Sequence, residues 1–275
     1  RIDAARQVVL PGFGNPPQPF GQSLTRAYPG LQTATLFEWL VGLYPVWVNW
    51  TPDDLYWAAM AALGELLLTG CTMSTDHHYL FPRAIGNGFI EAEIRAARAL
   101  GARFHPTRGA MSLGQSNGGL PPDACCQDDA AILKDAEHLI DQFHDPSRFS
   151  MLRIAIAPCA PFNVTESLMQ ETIRLARDRG VRVHTHLAET VDETVYCRER
   201  YGVRPVELME RWGWLGPDVW FAHCVQLNED EIRLFAERGV SVAHCPSSNC
   251  RLGSGIAPAP ALTRAGVAVG MAVDG

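Results

Sequence analysis

The sequence predicts an α/β barrel in which eight parallel strands alternate with helices. Three observations carry that expectation. Short β-branched apolar runs alternate with helix-like segments along the chain. Five helix-to-strand joints carry a glycine: Gly70, Gly101, Gly180, Gly239 and Gly266. The chain has 275 residues, 47% of them hydrophobic, enough for one large core.

Strands are expected at residues 8–13, 71–74, 103–106, 152–158, 181–186, 219–223, 240–244 and 267–273. The helices between them have recognisable starts. Thr51-Pro52-Asp53-Asp54 supplies a cap, a first-turn proline and two acids against the helix dipole. Asn228 and Glu231 have capping-box spacing. Met169, Ile173 and Ala176 make one apolar stripe, which reads as core. Two segments exceed a minimal barrel: 14–50 after the first strand and 107–128 after the third. Long Gly- and Pro-rich connections at strand ends often wall a pocket. Trp39, Trp47 and Trp50 in the first could stack on a flat ring or be ordinary core. Both ends read as cut, because the chain enters a strand almost at once and stops directly after one.

Composition narrows the function. The net charge is −7, from 23 basic and 30 acidic residues, with no Lys/Arg run. That argues against a nucleic-acid surface and for a small substrate. No apolar run reaches the ~18 residues of a membrane span. The N-terminus lacks a signal-peptide layout. Eight scattered cysteines with no C-x-x-C pair fit reduced, buried thiols and a cytoplasmic protein.

The chemistry gathers at the later strand ends. VRVHTHLAE reads as a strand whose His184 and His186 leave one face, with Glu189 just past the end. Alone, it is equally a buried histidine pair or a metal ligand beside a proton carrier. The next strands end in His223, His244 and Asp274. A barrel puts all these ends on one rim, where barrel active sites lie. His77, in Asp76-His77-His78, could line the pocket or be a satisfied loop group. Arg108 could meet a polar ring edge or make a loop salt bridge.

The segments HTHLAE, AHCVQL, AHCPSSNCRLGSGIAP and VGMAVDG resemble successive strand motifs of the amidohydrolase superfamily, in its aminohydrolase/chlorohydrolase branch. TRGAMSLGQSNGGLPPD and APCAPFNVT look most like the 8-oxoguanine deaminases within it. The resemblance runs from VVLPGF to VDG. It implies one metal-bearing (β/α)8 barrel over residues 1–275, with residues 1–7 a remnant of a small β-sandwich domain otherwise largely missing. It implies one divalent metal, usually zinc and sometimes iron, held by His186 and Asp274. Asp274 would also take a proton from the attacking water, Glu189 would shuttle it to a ring nitrogen, and His223 would orient the water or the oxyanion. Gln22 stands where relatives hold the substrate ring by an amide, although it could be a plain loop glutamine. His184 would pack one layer deeper, and His244 would support the loop after strand seven. The implied reaction is 8-oxoguanine plus water to urate plus ammonia. Guanine, pterin or hydroxy-triazine rings are the alternative substrates. Relatives often form homo-oligomers.

One motif departs from the family. The strand-one H-x-H, which supplies two metal ligands, falls here on Pro17-Gln18-Pro19. Proline offers a metal no lone pair, and a catalytic zinc usually has three protein ligands. A local sequence error or a true loss, giving a metal-free binding barrel, would each explain it.

Overall fold

The computed structural model describes residues 5–16 and 19–274. Eight parallel strands form one sheet in sequential order, rolled into a nearly closed barrel. They are β1 (Phe13–Asn15), β2 (Cys71–His78), β3 (Arg103–Ala110), β4 (Ala155–Pro158), β5 (Arg182–Leu187), β6 (Val219–His223), β7 (Ser241–His244) and β8 (Ala268–Met271). At the seam, the Val273 amide donates to Asn15 Oδ1 at 3.2 Å.

Ten α-helices lie among the described residues. The first five are α1 (Leu36–Trp47), α2 (Pro52–Leu68), α3 (Phe89–Leu100), α4 (Asp129–Phe143) and α5 (Glu166–Arg179). The rest are α6 (Val191–Tyr201), α7 (Pro205–Arg211), α8 (Glu229–Arg238), α9 (Pro246–Arg251) and α10 (Ala259–Arg264). Capping boxes open α2 at Thr51 and α8 at Asn228, as their sequences predict. The five joint glycines all have φ between 66° and 90°, the left-handed region that lets a helix stop and turn into a strand. Met169, Ile173 and Ala176 are buried, and the core runs continuously between strands and helices.

Several expected boundaries shift. The first strand starts at Phe13, not residue 8, and Val8 and Val9 are exposed. The reason is pairing: Phe13 faces Cys71, the first residue of β2, so earlier residues have no strand beside them. The segment 14–50 contains a 3-10 turn, Phe20–Thr25, and all of α1. Trp39 lines a cavity at the carboxyl ends of the strands, whereas Trp47 and Trp50 are core. The segment 107–128 does not wall that cavity: its first residues continue β3, and the later ones line a separate surface cavity beside Arg83. Pro17, Gln18 and the first four residues of the expected β-domain remnant lie outside the described residues. Among the described residues no helix is long and apolar enough to cross a membrane.

Longer β2 and β3 change two readings. Asp76, His77 and His78 belong to β2, and Arg108 belongs to β3. Alternation along a strand then sends Arg108 outward, between barrel and helices. Its guanidinium lies over the Phe81 ring at 3.8 Å and donates to Asp135 of α4 at 2.9 Å and to Gln127 at 2.7 Å. Arg108 therefore faces away from any substrate at the rim. Removing one partner of a buried pair strands the other charge. Asp135→Ala should thus cost about 3–5 kcal/mol in denaturant unfolding. Adding Arg108→Met should recover much of that loss.

Candidate active site

Strand carboxyl ends and the segments following them bring four groups together. His186 comes from β5, Glu189 from the turn after it, His223 from the end of β6, and Asp274 from just beyond β8. Donor atoms of His186, His223 and Asp274 all lie within 4.8 Å of one another. His223 Nε2 is 3.5 Å from Glu189 Oε2 and 3.8 Å from Asp274 Oδ2. The groups open into a cavity of about 230 Å3 that Gln22, Trp39, Tyr79, Cys159 and Arg251 also line.

Each imidazole is oriented by its far nitrogen. His186 Nδ1 donates to the Cys159 carbonyl at 2.8 Å. His223 Nδ1 donates to Asn249 Oδ1 at 2.8 Å, and Asn249 is fully buried. A carbonyl can only accept, so the Nδ1 atoms carry the protons and the Nε2 lone pairs face the cluster. Bare lone pairs beside carboxylate oxygens repel unless a proton or cation sits between them.

The protonation pattern follows. Burial opposes charge on His223, but Glu189 and Asp274 outweigh it and raise the pKa. Burial and the neighbouring His223 push His186 down to about 4, against the pull of Asp274. Burial lifts Glu189 to about 7, so this carboxyl can hold or release a proton near neutrality. The backbone is also constrained here. Ala188, His223, Cys224 and Asp274, none of them glycine, have φ of 51°, 70°, 50° and 57°. Such conformations cost about 1–3 kcal/mol each and persist only where the surroundings enforce them.

The expected substrate contacts divide. Gln22 lines the cavity and donates to Tyr79 Oη at 3.2 Å. His77 does not line it. As an inward residue of β2 it is fully buried behind His186, rings stacked at 4.4 Å, and Nε2 donates to the Ala157 carbonyl at 2.9 Å. His184 is also deeper, bonded to the Trp220 carbonyl and stacked on that indole. His244 ends β7, where its carbonyl accepts from the Ala272 amide.

The chain matches the amidohydrolase family over residues 8–275. It belongs to that family. This amidohydrolase is 46% identical over 275 residues to an 8-oxoguanine deaminase of Pseudomonas aeruginosa, covering 100% of this chain and 61% of that protein. It is 37% identical over 269 residues to a hydroxydechloroatrazine ethylaminohydrolase of Pseudomonas sp. strain ADP, covering 97% and 56%. Its barrel resembles the crystal structure of an atrazine chlorohydrolase of Arthrobacter aurescens TC1 in complex with zinc. The TM-score is 0.93 at 36% identity, covering 97% of this chain and 60% of that one. The chain thus spans about three fifths of the length of these relatives.

The donor set fits a divalent cation. Two imidazoles whose Nδ1 atoms are spent on carbonyl oxygens, with Nε2 left for a cation that displaces any proton on His223, and one carboxylate suit a divalent metal, with Glu189 beside them. Asp76, His78 and Glu93, in the strand–helix layer, also bring three donors within 4.8 Å. There, burial pushes both carboxyls up. Burial thus favours a protonated carboxyl in the Asp76–Glu93 pair, and Asp76 Oδ1 accepts from the Phe20 amide that opens the turn carrying Gln22.

Three functional groups escaped the sequence reading. Asn249 sits inside AHCPSSNC, Cys159 inside APCAPFNVT and Tyr79 directly after Asp76-His77-His78, so each lay in or beside a recognised motif. Their roles come from backbone direction, which spacing does not give.

Two predictions follow from this wiring. Asn249→Ala should weaken zinc binding about 10–100-fold in a competition titration. Cys159→Ser should leave it unchanged, because the carbonyl holds His186. The buried carboxyl pair sets the second. Both carboxyls are raised, Asp76 to about 7, so the folded state keeps a proton that the unfolded chain releases above its ordinary pKa. Stability should fall as pH rises from the ordinary carboxylate range through neutrality, by up to about 1.4 kcal/mol per pH unit per proton. Glu93→Gln should flatten that slope in denaturant titrations between acidic and mildly alkaline pH; parallel slopes would mean an ionised pair.

Proposed function

We propose that this barrel hydrolytically deaminates an oxidised purine base, 8-oxoguanine plus water giving urate plus ammonia. The observation that carries the reading is the convergence of His186, His223, Asp274 and Glu189 on one cavity. The 46% identity to a deaminase of that name supports the choice of ring.

His186, His223 and Asp274 would hold a divalent cation, zinc or iron. When bound, such an ion lowers the pKa of water to about 7, so that hydroxide is available at neutral pH. Asp274 accepts a proton from the attacking water. Glu189 carries a proton to a ring nitrogen, which makes the ring carbon beside the amine electrophilic. Water oxygen bonds to that carbon, the proton held by Asp274 passes to the amine, and the carbon–nitrogen bond breaks to release ammonia while the hydroxyl proton returns to Glu189 as the carbonyl forms. His223, with Nδ1 taken by Asn249, has only Nε2 to offer; were the cation held by His186 and Asp274 alone, that nitrogen would instead orient the water and the developing oxyanion. Gln22 holds the ring edge through its amide, and Trp39 walls the cavity. The small cavity suits a free base, and we assign the chain no nucleic-acid or membrane partner.

A second reading rests on Pro17-Gln18-Pro19 standing where two histidine ligands belong. Pro19 caps the 3-10 turn, and its carbonyl accepts from the Gln22 amide. On that reading the pocket binds a base without turning it over.

Metal analysis and a substrate panel separate the two. The enzyme reading expects about one zinc or iron per chain, and urate with ammonia from 8-oxoguanine faster than products from guanine, pterin or hydroxy-triazine rings. Glu189→Gln should lower kcat about a hundred- to ten-thousandfold. Metal-free protein that binds 8-oxoguanine without releasing ammonia would establish the second reading instead. Faster turnover of another ring would replace the substrate.

A further inference from the structure

The amino-terminal mouth of the barrel, opposite the active site, opens as a cavity of about 660 Å3. That volume falls within the range of small-molecule pockets, about 300–1,000 Å3. Its charged lining is Arg103, Arg153 and Arg182, and no Asp or Glu lines it among the described residues. None of the three arginines is in an ion pair there. In a chain with 30 acidic against 23 basic residues, three unpaired guanidiniums around one cavity run against composition.

Trp220 also lines the cavity, with an indole that is 8% exposed and whose Nε1–H is itself covered. The indole therefore offers the cavity flat apolar surface. Backbone carbonyls hold two of the guanidiniums in place. Arg103 Nε donates to the Ser150 carbonyl at 3.3 Å, and Arg153 Nη2 donates to the Pro146 and Ser147 carbonyls at 3.0 and 2.8 Å. Phe104, Phe149, Met73 and Val242 supply apolar wall. Donors and positive charge beside apolar surface match an acceptor-rich anion with a flat body.

We propose that this mouth is a second ligand site, which takes a small organic anion: a carboxylate or phosphate on an aromatic ring. The anion pairs with the Arg103, Arg153 and Arg182 forks, and its ring lies beside the Trp220 indole. The stacked rings of His184 and Trp220, at 4.8 Å, lie between it and the catalytic rim. The site is therefore separate from the chemistry proposed above and does not depend on it.

The test uses protein carrying 15N-indole tryptophan, with the Trp220 resonance assigned through Trp220→Phe. Salicylate, inorganic phosphate and the cation benzamidine are the probes. Salicylate should shift the Trp220 Nε1–H resonance saturably. Phosphate should do so more weakly and benzamidine not at all. Arg103→Gln with Arg182→Gln should weaken salicylate at least about tenfold, the loss expected for charge-assisted hydrogen bonds, with the melting temperature unchanged. If the double variant fails to fold, Arg182→Gln alone, an exposed side chain, should give a smaller loss in the same direction. No saturable shift by either anion, or affinity unchanged in the arginine variants, overturns the proposal. Equal shifts by all three probes would mark non-specific exposure of the indole and overturn it too.

Discussion

The active site depends on one constraint: two imidazoles must present bare Nε2 atoms to two carboxylates inside a buried space. Each histidine meets it by spending its other nitrogen. His186 gives its Nδ1 proton to the Cys159 carbonyl and His223 gives its own to Asn249. Were either ring to flip, a proton would face the cluster and a donor position would be lost. The acceptors are themselves fixed, one by β4 and its turn and the other by α9. Ligand geometry is thus a property of the barrel's upper layer rather than of the ligands alone.

The backbone bears part of that constraint. The left-handed conformations at Ala188, His223 and Asp274 occur where strands five, six and eight leave the barrel. A relaxed extended backbone would carry the next side chain along the strand direction. The turn instead directs Glu189, His223 and Asp274 at one point. Parallel pairing holds it in register: Leu187 of β5 sits opposite His223 of β6. Below this layer, His77 and His184 fill the lumen and support His186 from behind. Burial holds both well below the usual histidine pKa, so they add no charge under the site.

The two ends of the barrel have opposite character. Carboxylates and imidazoles crowd the carboxyl end, which favours a cation. Unpaired arginines line the amino end, which favours an anion. Between them lies a plug of stacked rings. One sheet presents both surfaces because strand starts and strand ends take side chains of different charge.

Sequence alone determined the alternation of strands and helices, the glycine and capping-box boundaries, and the His186, Glu189, His223 and Asp274 set. Those features are local: periodicity, turn chemistry, and residues standing at strand ends. Tertiary structure decided what local pattern cannot contain. The length of β2 and β3 depends on neighbouring strands, so only the sheet turned Arg108 outward and set His77 behind His186. The partners Cys159 and Asn249 lie 27 and 26 residues from the histidines they orient, and only the folded barrel brings those groups into contact.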